Sequence, residues 1–170
     1  MKRLHSMKRL LTLLFLMASF LMMHAQSIRN VFYGCTLGKT TQKEFFEKMK
    51  EQGLTPKYDV KNRAYYLYNV SFAGEVWTTC SFEFYDDKLL SVGYGMGEGE
   101  RSLFEQLASS FKEKYAKMIT NDESNRVIVQ DKATTASTSF LQEGGKGVCV
   151  VTYSDIPLSI KQRNDRKNDI

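Results

Sequence analysis

Apolar and polar residues alternate along two stretches in the first half of the chain, with the period of two that marks half-buried β-strands. These stretches are residues 63–72 (RAYYLYNVSF) and 75–85 (EVWTTCSFEFY), and Gly74 permits a turn between them. The pair Asp86–Asp87 predicts a second turn, after which the chain returns as a strand from Leu89 to Tyr94. The pattern therefore predicts a three-stranded antiparallel meander.

Two other stretches have the apolar spacing of three and four residues that indicates an amphipathic helix. Thr41 and Glu44 have the spacing of a capping box, which predicts a first helix over residues 41–52 that Gly53 terminates. A second helix is predicted over residues 100–118. Its apolar side consists of Phe104, Leu107, Ala108, Phe111, Tyr115 and Met118.

Three more strands are predicted after the second helix, over Arg126–Gln130, Thr134–Gln142 and Lys146–Tyr153. Gly144–Gly145 is expected to form the last hairpin turn. The glycines of Gly93–Gly99 are expected to form a flexible crossover between the two halves of the chain.

Together these elements predict an α+β fold of two layers, in which two helices pack on one face of a meandering antiparallel sheet. The halves, about residues 28–97 and 98–156, share their element order, which is consistent with a tandem repeat of a helix-plus-three-strand unit. The length of the chain predicts one domain over residues 26–156. Residues 157–170 are expected to be a polar, frayed tail.

The first 25 residues have the pattern of a secretory signal peptide. Four basic residues near the start precede an apolar run from Leu10 to Met23, and Ala25 supplies the small residue at the predicted cleavage site. This 14-residue run is shorter than a transmembrane helix, which needs about 20 residues. We therefore expect a periplasmic or extracellular protein with no transmembrane segment after cleavage. Met7 begins a second complete signal pattern, so either Met1 or Met7 is the start.

Cleavage changes the charge and the chemistry that the chain offers. Removing residues 1–25 lowers the formal net charge from +5 to +1, because it takes away four basic residues and no acidic one. The basic residues of the tail are interrupted by Asp165, so no nucleic-acid partner is expected. His5 and His24 are the two histidines of the chain, and both lie in the predicted signal peptide.

Cys35, Cys80 and Cys149 are too few for a disulfide scaffold and are expected to be buried small apolar residues. Export leaves open whether Cys80 and Cys149 pair. Neither the cysteines nor the acidic loop Asn121–Asn125 has the ligand spacing of a zinc or calcium site. No metal and no cofactor are expected.

One face of the predicted strand 75–85 combines aromatic and polar side chains. Trp77 and Tyr85 flank three polar residues, and Tyr65 is expected beside them on the neighbouring strand. Aromatic residues with a few polar groups are typical of protein-recognition surfaces. We predict a partner-binding site formed by Tyr65, Trp77, Thr79, Ser81, Glu83 and Tyr85. Two alternatives remain open, namely that residues 154–170 or a second subunit covers this face.

The expected function is that of an exported, non-catalytic binding or envelope-associated protein whose partner is a protein or another envelope component. The alternative is a histidine-free hydrolase that acts on an envelope glycan or peptide through two carboxylates among Glu75, Glu83, Asp86 and Asp87. A nucleophilic enzyme is disfavoured, because no histidine remains to activate a serine or a cysteine.

Residues 37–44 (LGKTTQKE) and the aromatic helix ending at Gly53 resemble the opening of two groups of extracytoplasmic proteins. These are the small lipoprotein of the outer-membrane barrel-assembly machinery and the β-lactamase-inhibitor-protein-like domains. Residues 82–92 (FEFYDDKLLSV) are similar to their closing hairpin, in which an acidic turn links two apolar strands.

The chain also resembles uncharacterised secreted bacterial proteins that share this opening, an internal Phe72-Ala73-Gly74 and a later helix ending in Lys114-Tyr115. The resemblance covers about residues 35–118 and implies a fold whose relatives mostly bind other proteins, with no catalytic residues to carry over. This chain departs from the lipoprotein group because it has no lipid-accepting cysteine after the signal and has three extra predicted strands.

Overall fold

The structure is a computed structural model that describes residues 27–97, 101–143 and 146–168. The predicted signal peptide, residues 98–100 of the expected crossover and the expected turn Gly144–Gly145 lie outside the described residues.

Strands make up about half of the described chain, and helices most of the rest. In chain order the elements are β1 (Val31–Phe32), β2 (Cys35–Thr36), α1 (Gln42–Glu51), β3 (Lys57–Asp59), β4 (Ala64–Phe72), β5 (Glu75–Tyr85), β6 (Lys88–Gly97), α2 (Arg101–Lys114), a 3-10 turn (Ala116–Met118), β7 (Ile119–Glu123), β8 (Arg126–Gln130), β9 (Thr134–Glu143), β10 (Lys146–Asp155) and α3 (Ile156–Asn168).

Eight of the strands form one antiparallel sheet in the order β3-β4-β5-β6-β10-β9-β8-β7, and β1 pairs with β2 separately. The α+β class with an antiparallel sheet is therefore confirmed. Each half of the chain supplies a helix followed by a four-stranded meander, and the last strands of the two meanders, β6 and β10, pair at the centre of the sheet.

Each meander has one strand more than the sequence predicts, and both additional strands lie at the edges of the sheet. β3 has three residues, too few to show an alternating pattern. β7 has the sequence ITNDE, whose polar residues predict a loop. Hydrogen bonding to β8 makes β7 a strand despite this composition.

The first helix begins with the predicted capping box. Thr41 Oγ1 accepts a hydrogen bond from the backbone N of Glu44 at 3.2 Å, and the Glu44 carboxylate accepts one from the backbone N of Thr41 at 2.8 Å. The hydrogen bonds that the Glu44 carboxylate accepts from the backbone N and the hydroxyl of Thr41 lower its pKa. The helix ends before Gly53, whose φ of +68° lies in the left-handed region. The predicted position of this helix is confirmed.

Aromatic contacts connect the helices to the sheet. The buried ring of Phe45 on α1 lies 4.9 Å from the ring of Phe82 and 5.3 Å from that of Phe84, centroid to centroid. On α2, the ring of Phe104 lies 6.2 Å from that of Phe140 on β9. The apolar core thus includes side chains from both of these helices and from the central strands.

The glycine-rich segment is part of a strand as far as residue 97, rather than a flexible crossover. Gly93, Gly95 and Gly97 alternate along β6 with Val92, Tyr94 and Met96. The first two of these apolar side chains are buried in the core. The glycines therefore lie on the other face of the sheet.

The tail that the sequence predicts to be frayed forms the helix α3. Asp155 caps it, because its Oδ1 accepts a hydrogen bond from the backbone N of Leu158 at 2.8 Å. The hydroxyl of Tyr85 donates to the carboxylate of Asp165, and Lys161 forms an ion pair with Asp86. These contacts attach α3 to the rest of the chain. Because α3 buries no side chain completely, its sequence lacks the apolar spacing that predicts a helix.

Candidate functional site

The face of the sheet that carries the glycines of β6 is lined by small polar side chains. Residues paired directly across neighbouring strands share a face, so the register identifies its members. Thr79 pairs with Gly95, which pairs with Val150, which pairs with Ser139. One step along, Ser81, Gly93, Thr152 and Ser137 form an equivalent row. We call this surface, which crosses strands β5, β6, β10 and β9, the hydroxyl face.

Gly93 and Gly95 form the floor of the hydroxyl face because they have no side chains. Neighbouring hydroxyl groups lie close to the positions that their Cβ atoms would take. A Cβ atom at Gly93 would lie 2.8 Å from Ser81 Oγ, and one at Gly95 would lie 2.9 Å from Thr79 Oγ1. The two hydroxyl oxygens lie 3.4 Å from the carbonyl oxygens of the same glycines. The centre of the sheet is therefore low and polar, and Gly93 and Gly95 remain partly exposed beside these hydroxyl groups.

A shallow cavity of about 580 Å³ extends from the centre of the hydroxyl face towards β8. Its lining includes Thr135, Ser137, Ser139, Val150, Thr152 and Ser154, with Leu141 and Arg126 at the border. All six of the first group are partly exposed. The cavity therefore offers hydroxyl groups to a ligand, and its lining includes one cation, Arg126, and one carboxylate, Glu123.

Two tyrosines border the opposite side of the hydroxyl face. Tyr66 pairs with Ser81 and Tyr68 pairs with Thr79, so both rings lie on this face. The rings are stacked with their centroids 6.3 Å apart, and 53% of Tyr68 is exposed. Partial burial raises the pKa of Tyr66, so its hydroxyl stays protonated and available as a donor near neutral pH. Because Tyr65 is predicted on the open face, strict alternation predicts Tyr66 and Tyr68 on the opposite, covered face, and this is wrong for both.

Three of the six predicted binding residues lie together on the hydroxyl face. They are Thr79, Ser81 and Glu83, which alternate along β5, and Glu83 is exposed. Tyr85 lies at the end of the same strand, where its hydroxyl contacts α3 through Asp165. The tail thus contacts the predicted site at Tyr85.

Trp77 does not belong to this surface, and its predicted position on an open face is wrong. The side chain is fully buried, and the ring centroid lies 5.9 Å from that of Tyr94. Alternation with Trp77 predicts its neighbour Val76 on the opposite, covered face, but Val76 is 64% exposed.

Tyr65 also lies away from the hydroxyl face. It pairs with the buried Phe82, and its ring is 5.0 Å from that of Phe46 and 5.8 Å from that of Phe45, both on α1. Tyr65 therefore packs between the first helix and the sheet.

The four candidate carboxylates are separated or already engaged in structural contacts. Glu75 and Glu83 lie eight residues apart on β5, a separation of about 26 Å at the usual rise of an extended strand. Asp86 pairs with Lys161, and Oδ1 of Asp87 accepts a hydrogen bond from the backbone N of Gln42 at 3.2 Å. Among the residues that the structure describes, no group of three or more potential metal-ligating side chains converges.

All three cysteines are free thiols in the described chain, and all are buried. Burial raises the pKa of Cys80 to about 12 and those of Cys35 and Cys149 to about 11. Cys80 on β5 and Cys149 on β10 belong to the two strands that flank β6 in the sheet. Two strand spacings of about 4.8 Å each therefore separate them, which is beyond the reach of a disulfide.

Comparisons of this chain with models of protein families, with curated proteins and with solved structures gave no match. Within the described ranges, no helix is both long enough and apolar enough to cross a membrane.

Proposed function

We propose that the protein is an exported, non-catalytic binding protein that recognises another protein through the hydroxyl face of its sheet. In this proposal α1 and α2 cover the opposite face, which carries Phe82 and Phe140, and the hydroxyl face remains for the partner. The observation that carries the proposal is the combination of a low glycine floor with partly exposed hydroxyl groups in front of it.

A floor without large side chains allows a partner to approach the sheet closely. Across the central strands the largest side chains in the two paired rows are those of Val150, Thr79 and Thr152. An inserted loop or aromatic side chain of the partner could therefore contact backbone atoms and hydroxyl groups at once. Satisfying those polar groups, rather than burying a large apolar area, would give such an interface its specificity.

The borders of the face supply the residue types that often dominate binding energy. Tyr68 is half exposed on one side, and Arg126 is exposed on the other. Tyrosine and arginine are enriched among the residues whose truncation weakens protein complexes most. A protein that spans the face would contact both borders.

The sequence supplies two further arguments. Residues 1–25 have the pattern of a secretory signal peptide, which favours a partner in the envelope or outside the cell. The resemblance of residues 35–118 to domains that mostly bind other proteins also favours a binding function. We propose that the mature chain begins at Gln26, which N-terminal sequencing of the exported protein would test.

Site-specific photocrosslinking in the producing cell tests the binding surface. A photoreactive phenylalanine analogue at Tyr68 should capture one discrete protein partner, while the same analogue at Val60 should not. Val60 is a matched control because it is 78% exposed and lies in the loop after β3. Equal capture from both positions, or none from Tyr68, would contradict the proposal.

A substitution at the centre of the face provides a second test. Thr152→Arg should reduce capture from Tyr68 at least tenfold, because a long cation would stand above the glycine floor. Gln106→Arg adds the same side chain at an exposed position of α2 and should leave capture unchanged. Both variants should melt near the wild-type temperature. Unchanged capture by Thr152→Arg would exclude the hydroxyl face as the contact surface.

A further inference from the structure

A second cavity, of about 250 Å³, lies on the other face of β10 from the hydroxyl face. Val151 and Tyr153 alternate with Thr152 along this strand, and they line the cavity together with Phe111 and Tyr115. All four side chains are buried or nearly so. The cavity therefore has an apolar and aromatic floor, and it is separate from the proposed protein-binding surface.

Two cations stand at the rim of this cavity. Arg29 lies in the segment before β1, and Lys114 is the last residue of α2. Both are exposed, and neither forms an ion pair with a carboxylate in the part of the chain that the structure describes. Among the residues that the structure describes, none that lines the cavity is acidic. The rim thus carries positive charge with no carboxylate counterion from the described part of the chain.

Aromatic rings hold both cations in place. The guanidinium carbon of Arg29 lies 5.1 Å from the ring centroid of Phe32 and 5.4 Å from that of Phe72. The ammonium nitrogen of Lys114 lies 5.2 Å from the ring centroid of Tyr115. The Nε of Arg29 also donates a hydrogen bond to the carbonyl oxygen of Val31 at 3.0 Å, whereas the cation–π contacts leave the terminal N–H groups of the guanidinium and the ammonium N–H groups of Lys114 as donors. An anion at the rim would therefore meet pre-positioned donors.

Hydroxyl groups extend this polar rim. Ser110 is exposed on α2 and lines the cavity. In the floor, Tyr115 and Tyr153 each carry a phenol hydroxyl, and burial raises the pKa of Tyr153 further above its ordinary value. A ligand in the cavity would thus find hydrogen-bond donors next to the two cations.

We propose that this cavity binds a small amphiphilic carboxylate, with its aromatic ring or short acyl chain on the apolar floor and its carboxylate between Arg29 and Lys114. The size fits this class, because a cavity of about 150 Å³ already holds benzene and the remaining volume admits a carboxylate. The positive charge at the rim favours an anionic ligand, and the apolar floor formed by Phe111 and Val151 favours a ligand with an apolar part. This inference does not depend on the function proposed for the hydroxyl face.

Titration of the mature protein with benzoate and octanoate, followed by NMR of the Leu107 and Val151 methyl groups, tests the site. At least one of the two probes should bind saturably with a Kd at or below about 1 mM. The uncharged analogues benzyl alcohol and octanol should bind at least tenfold more weakly. Added salt should weaken carboxylate binding, since the cations are exposed.

Variants of the rim separate the proposed contact from a general charge effect. Arg29→Gln and Lys114→Gln should each raise the Kd about tenfold. Lys117→Gln removes one positive charge from the exposed turn after α2 and should leave the Kd unchanged. Lys114→Gln keeps the test decisive if Arg29→Gln fails to fold, because the side chain of Lys114 is exposed. Absence of saturable binding, equal binding of the uncharged analogues, or rim variants that bind like wild type would overturn the proposal.

Discussion

The indole Nε1 of Trp77 donates a hydrogen bond to the carbonyl oxygen of Phe72 at 2.9 Å, across the turn that joins β4 to β5. The ring of Phe72 in turn stacks on that of Tyr94 from β6, with centroids 3.9 Å apart and planes 10° apart. The single tryptophan of the chain thus connects three neighbouring strands at one end of the core. It stabilises the fold rather than presenting a surface to a partner.

Truncation of this side chain should be strongly destabilising. We expect Trp77→Ala to lower the free energy of unfolding by about 3–5 kcal/mol, the usual cost of removing a large buried aromatic side chain. Urea denaturation followed by circular dichroism measures this change. Val76→Ala is the matched control on the adjacent, exposed position and should change stability by less than about 0.5 kcal/mol. Similar effects of the two substitutions would contradict the burial of Trp77.

The strand boundaries of β4 and β5 follow from the sequence, but the faces of their side chains do not. Asn69 has a φ of +53° in the middle of β4. The buried positions on either side of it, Leu67 and Val70, are three residues apart instead of two, and so are Cys80 and Trp77 on β5. A strict period of two that is correct on one side of this point therefore assigns the residues on its other side to the wrong face. Asparagine tolerates the left-handed conformation, but nothing in the sequence marks this asparagine as adopting it.

The candidate site was predictable only in part for a related reason. Thr79, Ser81 and Glu83 all follow the change of phase in β5, so the alternation assigns them correctly to one face. The other half of the hydroxyl face comes from β9 and β10, and only the pairing of β6 with β10 brings Thr152 and Ser137 beside Ser81. That pairing joins strands more than 50 residues apart in sequence, and no local pattern encodes it.

The turn between β4 and β5 offers a stabilising substitution. Ala73 and Gly74 both have positive φ, +54° and +85°, which is strained for alanine but suits the asparagine–glycine pair of a tight hairpin. We expect Ala73→Asn to raise the free energy of unfolding by about 1 kcal/mol. Ala116→Asn, in the exposed 3-10 turn after α2, should give no such gain. The melting temperatures of the two variants measure the difference, and a destabilised Ala73→Asn would contradict the turn geometry.

The glycine floor of the hydroxyl face predicts that substitutions at Ser81 and Gly93 have coupled effects on stability. In Gly93→Ala the new Cβ would lie 2.8 Å from Ser81 Oγ, so the serine must leave its rotamer, at a cost of about 1 kcal/mol. In a chain that already carries Ser81→Ala the hydroxyl is absent, so Gly93→Ala should no longer have this cost. The double variant Ser81→Ala/Gly93→Ala should therefore be more stable than the sum of the single effects predicts.

Gly97 provides the control for this cycle. A Cβ at Gly97 would meet no atom of the described residues within 4 Å, so Gly97→Ala should cause no steric loss. Chemical denaturation of the wild type, Ser81→Ala, Gly93→Ala and the double variant gives the coupling energy. Additive effects of Ser81→Ala and Gly93→Ala would show that the serine does not occupy the space above the glycine.

The carboxylate of Asp131 connects the start of the described chain to the turn between β8 and β9. It accepts hydrogen bonds from the backbone N of Ile28 at 2.8 Å, of Ala133 at 2.8 Å and of Thr134 at 2.7 Å. Burial raises the pKa of Asp131, but these three hydrogen bonds outweigh it and hold the pKa below its ordinary value. The ionised carboxylate is therefore the form that stabilises the fold.

This arrangement predicts how stability depends on pH. A pKa that is lowered by folding contributes stability that is fully present above the ordinary carboxyl pKa of about 3.9 and is lost as the pH falls through the lowered value. Asp131→Asn should therefore be less stable than wild type at neutral pH, and the difference should shrink as the pH falls below about 4. Urea denaturation of both proteins between neutral and acid pH measures it. Because the amide does not titrate, a difference that stayed constant over this range would show that the charge of Asp131 contributes nothing.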